Sequence, residues 1–278
     1  MKTRVLTGVA IFIVIIPIFI FFHTFVGPLF LAFLGFMSVY ELSGVTGLKS
    51  KWPALIPFYL AAVGVPLIVW FDATRGDFFK YCAIIFFLLA FYILAASVFS
   101  KGKLNVADAS VLFTMSFYAI VSFDSILMLR HAPKGVYLFL LPFVVSWATD
   151  IFAYFSGRLF GRHKLIPEVS PKKTVEGAIG GLAAAVAATL LYGLVVGAIG
   201  GFTPNYLLLG LAGALMSLAS MAGDLIASVV KRHYGAKDYG KLLPGHGGIL
   251  DRFDSVLAAA PMLIILLELP VNYDIFPG

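Results

Sequence analysis

Four carboxylates and a set of cations stand out in an otherwise apolar chain. Asp150 and Asp224 fall inside long hydrophobic runs. An ionised side chain there costs about 2.5–3.5 kcal/mol to insert into a bilayer, so each needs a reason. Asp251 and Asp254 lie three apart, so a helix that starts there puts both on one face, at the end whose dipole favours negative charge. Between Asp224 and Asp251 the chain carries Lys231-Arg232, Lys237-Asp238 and His246-Gly247-Gly248, with Arg252 just beyond. Cations that hold phosphates, glycines that let backbone N–H groups approach an anion, and carboxylates that hold a hard metal ion are the parts of a phosphate-handling site. A solvated basic loop is the plainer reading of the same composition. A second basic stretch runs from Gly157-Arg158 through Arg162-His163-Lys164 to Lys172-Lys173-Thr174, with the last three placed at the start of a helix, where N–H groups bind phosphate. Anionic lipid headgroups account for that charge equally well, and His163 reads as a loop residue. Glu41 and Asp124, near the ends of their runs, read as interfacial carboxylates that reach water.

The elements that must position these residues follow from composition. Of 278 residues, 61% are apolar or aromatic and 12% charged, where a soluble domain carries roughly a quarter charged. An ordinary soluble globule and a disordered chain are both excluded. The single cysteine, Cys82, rules out an intrachain disulfide and a Cys-based zinc site. The net charge of +6 does not point to nucleic acid, because the charges fall in short gaps between apolar runs.

About nine such runs are long enough to span a bilayer, near 5–22, 26–44, 53–71, 79–99, 109–129, 134–157, 176–198, 206–230 and 255–270. The expected fold is therefore an all-α polytopic membrane protein. Residues 1–130 form N-terminal transmembrane helices, and 131–278 a C-terminal transmembrane catalytic region with cytoplasmic loops at 158–175 and 231–254. The Asp72 to Asp77 and Lys101-Gly102-Lys103 segments read as loops. With the N-terminus inside, the Lys and Arg excess falls on inner loops, leaving Arg75, Lys80, Arg130 and Lys134 outside. That orientation makes the active site cytoplasmic and the C-terminus external. It sets Asp150 and Asp224 roughly 9–11 Å below the inner face, able to share one cavity. Gly177, Gly180 and Gly181 read as a face for close helix packing.

The run from Ser228 to Asp254 resembles the signature of the phosphatidate cytidylyltransferases, the CDP-diacylglycerol synthase family: Ser-x-Val-Lys-Arg, Lys-Asp-x-Gly, then Leu-Pro-x-His-Gly-Gly-Ile-x-Asp-Arg-Phe-Asp. Asp150 through Gly177 is similar to that family's second conserved stretch, with the Ser-Pro-Lys-Lys-Thr-x-Glu-Gly box. It departs at Ile151, where a small or hydroxyl residue is common, and at Val175, where an aromatic is frequent. The first half matches only as hydrophobic spans. The resemblance implies transfer of CMP from CTP to phosphatidic acid in phospholipid biosynthesis, giving CDP-diacylglycerol and pyrophosphate. The setting is a bacterial cytoplasmic membrane, with Mg²⁺ required and a monovalent cation such as K⁺ beside it.

The resemblance also implies that Asp224 and Asp251 hold metal and, with Lys231 and Arg252, carry catalysis. Lys172, Lys173, Thr174 and Asp150 would contact substrates from one stretch, and Arg232, Lys237, Asp238 and Asp254 from the other, with His246, Gly247 and Gly248 shaping the backbone around them. The expected partners are CTP, phosphatidic acid and membrane lipid, without nucleic acid, in a homodimer. Competing readings are a polyprenol kinase, a CDP-ether-lipid synthase, and an ion-coupled transporter using Asp150 and Asp224. The transporter is disfavoured because the polar residues crowd one face.

Overall fold

The structure is a computed structural model that describes residues 2–71, 75–101, 103–269 and 274–277. The apolar runs have no polar face to present to water, and they fold as helices, which satisfy their own backbone groups and so can cross lipid. In chain order the elements are α1 (Lys2–Ile20), α2 (Val26–Val45), α3 (Trp52–Phe71), α4 (Arg75–Phe99), α5 (Val106–His131) and the short α6 (Gly135–Leu138). There follow α7 (Leu141–Phe160), β1 (Lys164–Ile166), β2 (Ser170–Thr174), α8 (Val175–Gly200), α9 (Tyr206–His233) and α10 (Leu250–Glu268).

Among the described residues, seven helices are long and apolar enough to cross a membrane. The expected first and ninth runs are helical, as α1 and α10, but are not among the seven; α10 carries Asp251, Arg252, Asp254 and Glu268. The protein is thus a polytopic, all-α membrane protein apart from one hairpin. Outward-facing rings such as Phe91, 66% exposed, and Phe99, 84% exposed, form the kind of apolar surface that lipid covers. Of the loop expected from Asp72 to Asp77, residues 72–74 lie outside the described residues and α4 begins at Arg75; Gly102 also lies outside them.

The chain forms two compact units, Met1–His131 with His233–Phe253, and Ala132–Arg232 with Asp254–Gly278. In the first, α5 is packed by α2, α3 and α4, around a core of Leu31, Leu42, Phe58, Leu112, Phe123 and Leu127. Asp124 sits on α5 with 0% exposure, and neither carboxylate oxygen has a hydrogen-bond partner among the described residues. This corrects the expectation of an interfacial carboxylate: neighbouring helices cover α5, so a place near the helix end does not bring the side chain to water.

In the second unit, α7 and α8 make the most extensive helix pairing among the described residues. Missing side chains make it possible: a Cβ on Gly177 would lie 2.7 Å from the Ala153 carbonyl oxygen, and one on Gly181 2.8 Å from that of Thr149. Thr149 Oγ1 and Ser217 Oγ, 2.8 Å apart, join α7 to α9. The stretch expected as a plain loop over 158–175 contains an antiparallel hairpin, with Lys164 opposite Thr174 and Ile166 opposite Ser170 across a bulge. Lys172 and Lys173 therefore lie on β2 and not in the first turn of the next helix, which Thr174 caps. Strands of three and five residues are too short to show a two-residue alternation in sequence.

Gly181→Val is expected to destabilise the detergent-solubilised protein by about 1–3 kcal/mol, because the obstructing atom is backbone. Gly210→Ala, whose Cβ meets only Leu190 Cδ2 at 3.7 Å, is expected not to lower the thermal unfolding midpoint, since Ala favours a helix over Gly. Thermal unfolding of the two variants side by side checks this, and equal midpoints would refute the packing role.

Candidate active site

The signature loop leaves α9 through Gly235, at φ +63°, and runs to α10. Two carboxylates fold it. Asp251, 6% exposed, accepts the N–H of Tyr239 at 2.7 Å and of Gly248 at 2.9 Å on Oδ2. Glu41, 3% exposed near the end of α2, accepts the Ile249 N–H at 2.8 Å on Oε1 and the Leu250 N–H at 3.0 Å on Oε2. These donors belong to the start of α10, where N–H groups lack partners within the helix and a carboxylate is the favoured acceptor.

The reading of Glu41 as an interfacial carboxylate is thereby corrected: it is a buried anchor for the loop, because unpaired amide donors give a carboxylate a better partner than the membrane surface does. The one sequence signal was a carboxylate inside a span; nothing local ties position 41 to positions 249 and 250.

The glycines follow from this. A Cβ on Gly240 would lie 2.6 Å from Glu41 Oε1, and one on Gly248 would run into both oxygens. Leu243 and Gly247 exchange N–H···O bonds of 2.9 and 3.1 Å across a tight turn in which Gly245 and Gly247 hold φ of +78° and +89°, values that suit glycine. Tyr234 donates to Asp108 Oδ1 at 2.9 Å, tying the start of the loop to α5. The result is a cavity of about 600 Å³ lined by Lys237, Asp238, Lys241, His246, Gly247 and Arg252. Cations and close-lying backbone make it fit for phosphates.

The second unit holds the remaining predicted residues. Lys173 Nζ pairs with Asp224 Oδ2 at 2.6 Å, each about a quarter exposed (27% and 28%). Ser255 Oγ donates to Asp150 Oδ2 at 3.0 Å. Asp254 lies outside the seven spans. Burial, and then the charge of Asp224, push its carboxyl up to about 7; Asp150 adds to the rise, while Lys231 and the Ser255 N–H oppose it. Asp224 on α9, Asp150 on α7 and Lys231, itself 8% exposed, thus all act on Asp254 of α10.

The hairpin is fastened by Glu176, which accepts from the His163 N–H and pairs with His163 Nδ1 at 2.6 Å, and by the Thr174 hydroxyl, which caps α8 by accepting the Gly177 N–H at 3.1 Å. Lys172, Arg232 and Arg252 are exposed. Among the described residues, no three His, Cys, Asp or Glu side chains form a ready-made metal cage.

Glu41→Ala is expected to strand two N–H groups and destabilise the loop by about 1–3 kcal/mol. Trypsin should then cleave at Lys237 or Lys241 faster than in the wild type, with cleavage elsewhere unchanged; an unchanged cleavage pattern would refute the anchor. For Asp254 the folded protein favours the protonated form. The stability this contributes is present below the ordinary carboxyl range and lost as pH rises toward about 7. Between about pH 5 and about pH 8, in metal-free buffer, the wild-type unfolding midpoint should therefore fall relative to Asp254→Asn; parallel curves would refute it.

With this geometry in hand, likeness to known proteins is informative. Residues 2–270 match the sequence model described as the Cytidylyltransferase family. The chain is 35% identical over 268 residues to the phosphatidate cytidylyltransferase of Staphylococcus saprophyticus, spanning 96% of this chain and 99% of the relative. The proteins of the same name from Staphylococcus haemolyticus and Staphylococcus aureus strain COL are also 35% identical, over 268 and 269 residues with the same coverage. The likeness runs through both units and the whole signature loop, and on that ground the chain belongs to the cytidylyltransferase family.

Proposed function

We propose that this protein is a membrane-embedded CTP:phosphatidate cytidylyltransferase, transferring CMP from CTP to phosphatidic acid to give CDP-diacylglycerol and pyrophosphate. The observation that carries the reading is the signature loop, drawn by Asp251 and Glu41 into a basic, glycine-walled cavity, in a chain that matches proteins of that name over nearly its full length. A lipid phosphate is already anionic near neutral pH, so no serine, cysteine or strong base has to generate a nucleophile. One of its oxygens bonds to the α-phosphorus of CTP while the bond to the β-phosphate bridging oxygen breaks, and pyrophosphate leaves with that oxygen. The protein's task is to bring two anions together in line and to balance their charge. Lys237, Arg252 and the backbone around His246, Gly247 and Gly248 are assigned to the nucleotide phosphates. Lys231, Arg232, Lys172 and Lys173 supply further positive charge, with Asp150, Asp238 and Thr174 supporting substrate contacts.

By the resemblance of the signature, Asp224 and Asp251 are the assigned ligands of Mg²⁺, with a monovalent cation such as K⁺ beside it. When bound, the divalent ion would neutralise charge on the transferred phosphate. The donor set fits: Mg²⁺ favours oxygen ligands and binds through one or two carboxylates completed by water and substrate phosphates, so a cage of three or more acidic side chains is not required. We place the N-terminus, the hairpin and the signature loop on the cytoplasmic side of a bacterial membrane and the C-terminus outside. In this topology α1 and the apolar stretch 255–270 complete nine crossings, in a homodimer. The Lys and Arg distribution supports the orientation.

Incubation of the purified protein with phosphatidic acid, Mg²⁺ and CTP labelled in its α-phosphate should give labelled CDP-diacylglycerol and unlabelled pyrophosphate; labelled CDP without labelled lipid would indicate a kinase. Asp224→Asn and Asp251→Asn should each lower kcat by about 100-fold or more, with thermal stability of Asp224→Asn near wild type. Removal of divalent ions should stop turnover and Mg²⁺ restore it. Near-normal rates in either variant would defeat the metal assignment.

A further inference from the structure

We infer that a second cavity, at the C-terminal end of α2, binds the phosphate monoester headgroup of the lipid substrate, leaving the glycine-walled cavity to the nucleotide phosphates. This rests on the proposed reaction. The second cavity has a volume of about 640 Å³ and adjoins the first: Lys237, Asp238, Gly240 and Lys241 line both, so a single stretch of loop forms the wall between them. Two chambers that share their cations suit a reaction that must join two anions.

The residues that the two cavities do not share differ in chemistry. The first cavity adds glycines, His246 and Arg252; the second adds Met37, Tyr40, Leu242 and Lys49. The Met37 and Tyr40 wall belongs to a helix apolar enough to cross a membrane. Phe33, Phe36 and Tyr40 recur at helical spacing on α2 and are 49%, 40% and 40% exposed, so the apolar wall continues into a lipid-facing stripe. A headgroup seated in the cavity can leave its acyl chains along that stripe, whereas a nucleotide has nothing to place there.

Lys49 sharpens the choice. Its ammonium hydrogen-bonds to the Tyr40 hydroxyl and lies 3.9 Å from the ring centroid. It sets a compact positive charge beside the Tyr40 ring at the cavity wall. Glu41 also lines this cavity, but both its oxygens are engaged by the N–H groups of Ile249 and Leu250. Three lysines then face one further carboxylate, Asp238. Tyr40 and Lys49 lie outside every motif singled out in the sequence, and the geometry makes them determinants of lipid binding.

The test uses the full chain in detergent micelles, with dissociation constants and KM measured for dioctanoyl phosphatidate and CTP, and glycerol 3-phosphate as the headgroup alone. Lys49→Gln, at an exposed side chain, should weaken dioctanoyl phosphatidate binding and raise its KM about tenfold, leaving CTP within about twofold. Met37→Trp, which fills the cavity, should act in the same direction, and His246→Asn should do the reverse, raising the KM for CTP alone. Weakened CTP binding in Lys49→Gln, or no change for either ligand, overturns the inference. So does glycerol 3-phosphate binding as tightly as the lipid, which would mark a site for soluble phosphate esters. Absence of wild-type turnover would instead defeat the proposed reaction, and is told apart because phosphatidate binding is read without turnover.

Discussion

Four backbone N–H groups, those of Tyr239, Gly248, Ile249 and Leu250, converge on two buried carboxylates, Asp251 and Glu41, and the shape of the signature loop depends on that pairing. A loop of this length has a large conformational entropy and few apolar side chains with which to offset it. Charge-assisted hydrogen bonds in a poorly hydrated setting are among the few local interactions strong enough to hold it in one form. The donors also need the acceptors, since the first turn of α10 would otherwise bury N–H groups without partners. The Gly240 and Gly248 positions follow, because the Glu41 carboxylate occupies the space that a side chain there would need.

The same logic in the second unit yields an opposite character. Around Asp254 the carboxylates of Asp150 and Asp224 add to one another, and Lys173 and Lys231 offset part of that charge. Such a concentration of acid works against folding in the absence of a cation or a positively charged partner. Lys173 beside Asp224 and Lys231 near Asp254 supply the positive charge that offsets part of it. The hairpin keeps Lys173 in place: its ends are fastened to the first turn of α8 through Glu176 and Thr174, so the cation opposite Asp224 is carried on a braced strand.

Cytidylyl transfer between two anionic substrates makes electrostatics the larger part of catalysis, and the polar residues of this chain are distributed accordingly. Half of the charged residues lie in two short polar segments or within a few turns of them, on a scaffold of helices with exposed apolar side chains. The closely packed α7 and α8 pair places Asp150 and the hairpin on one rigid support. Rigidity there matters because transition-state stabilisation by fixed charges is lost when the charges can relax away.

Much of this was legible without coordinates. Composition and run length by themselves determined that the chain is helical and crosses the membrane repeatedly, because a bilayer leaves a backbone few ways to satisfy its hydrogen bonds. The motif around Lys237, His246, Asp251 and Arg252 pointed to the cytidylyltransferase family, because so many polar residues at fixed spacing make a specific signature. The tertiary structure alone decided that Glu41, Tyr40 and Lys49 border the signature loop, that Asp124 is sealed inside the first unit, and that Lys172 and Lys173 ride on a strand. Each of these depends on contacts between residues far apart in the chain, or on strands too short to carry a period. Hydropathy and spacing record the local surroundings of a residue; they hold no record of which distant amide its carboxylate will meet.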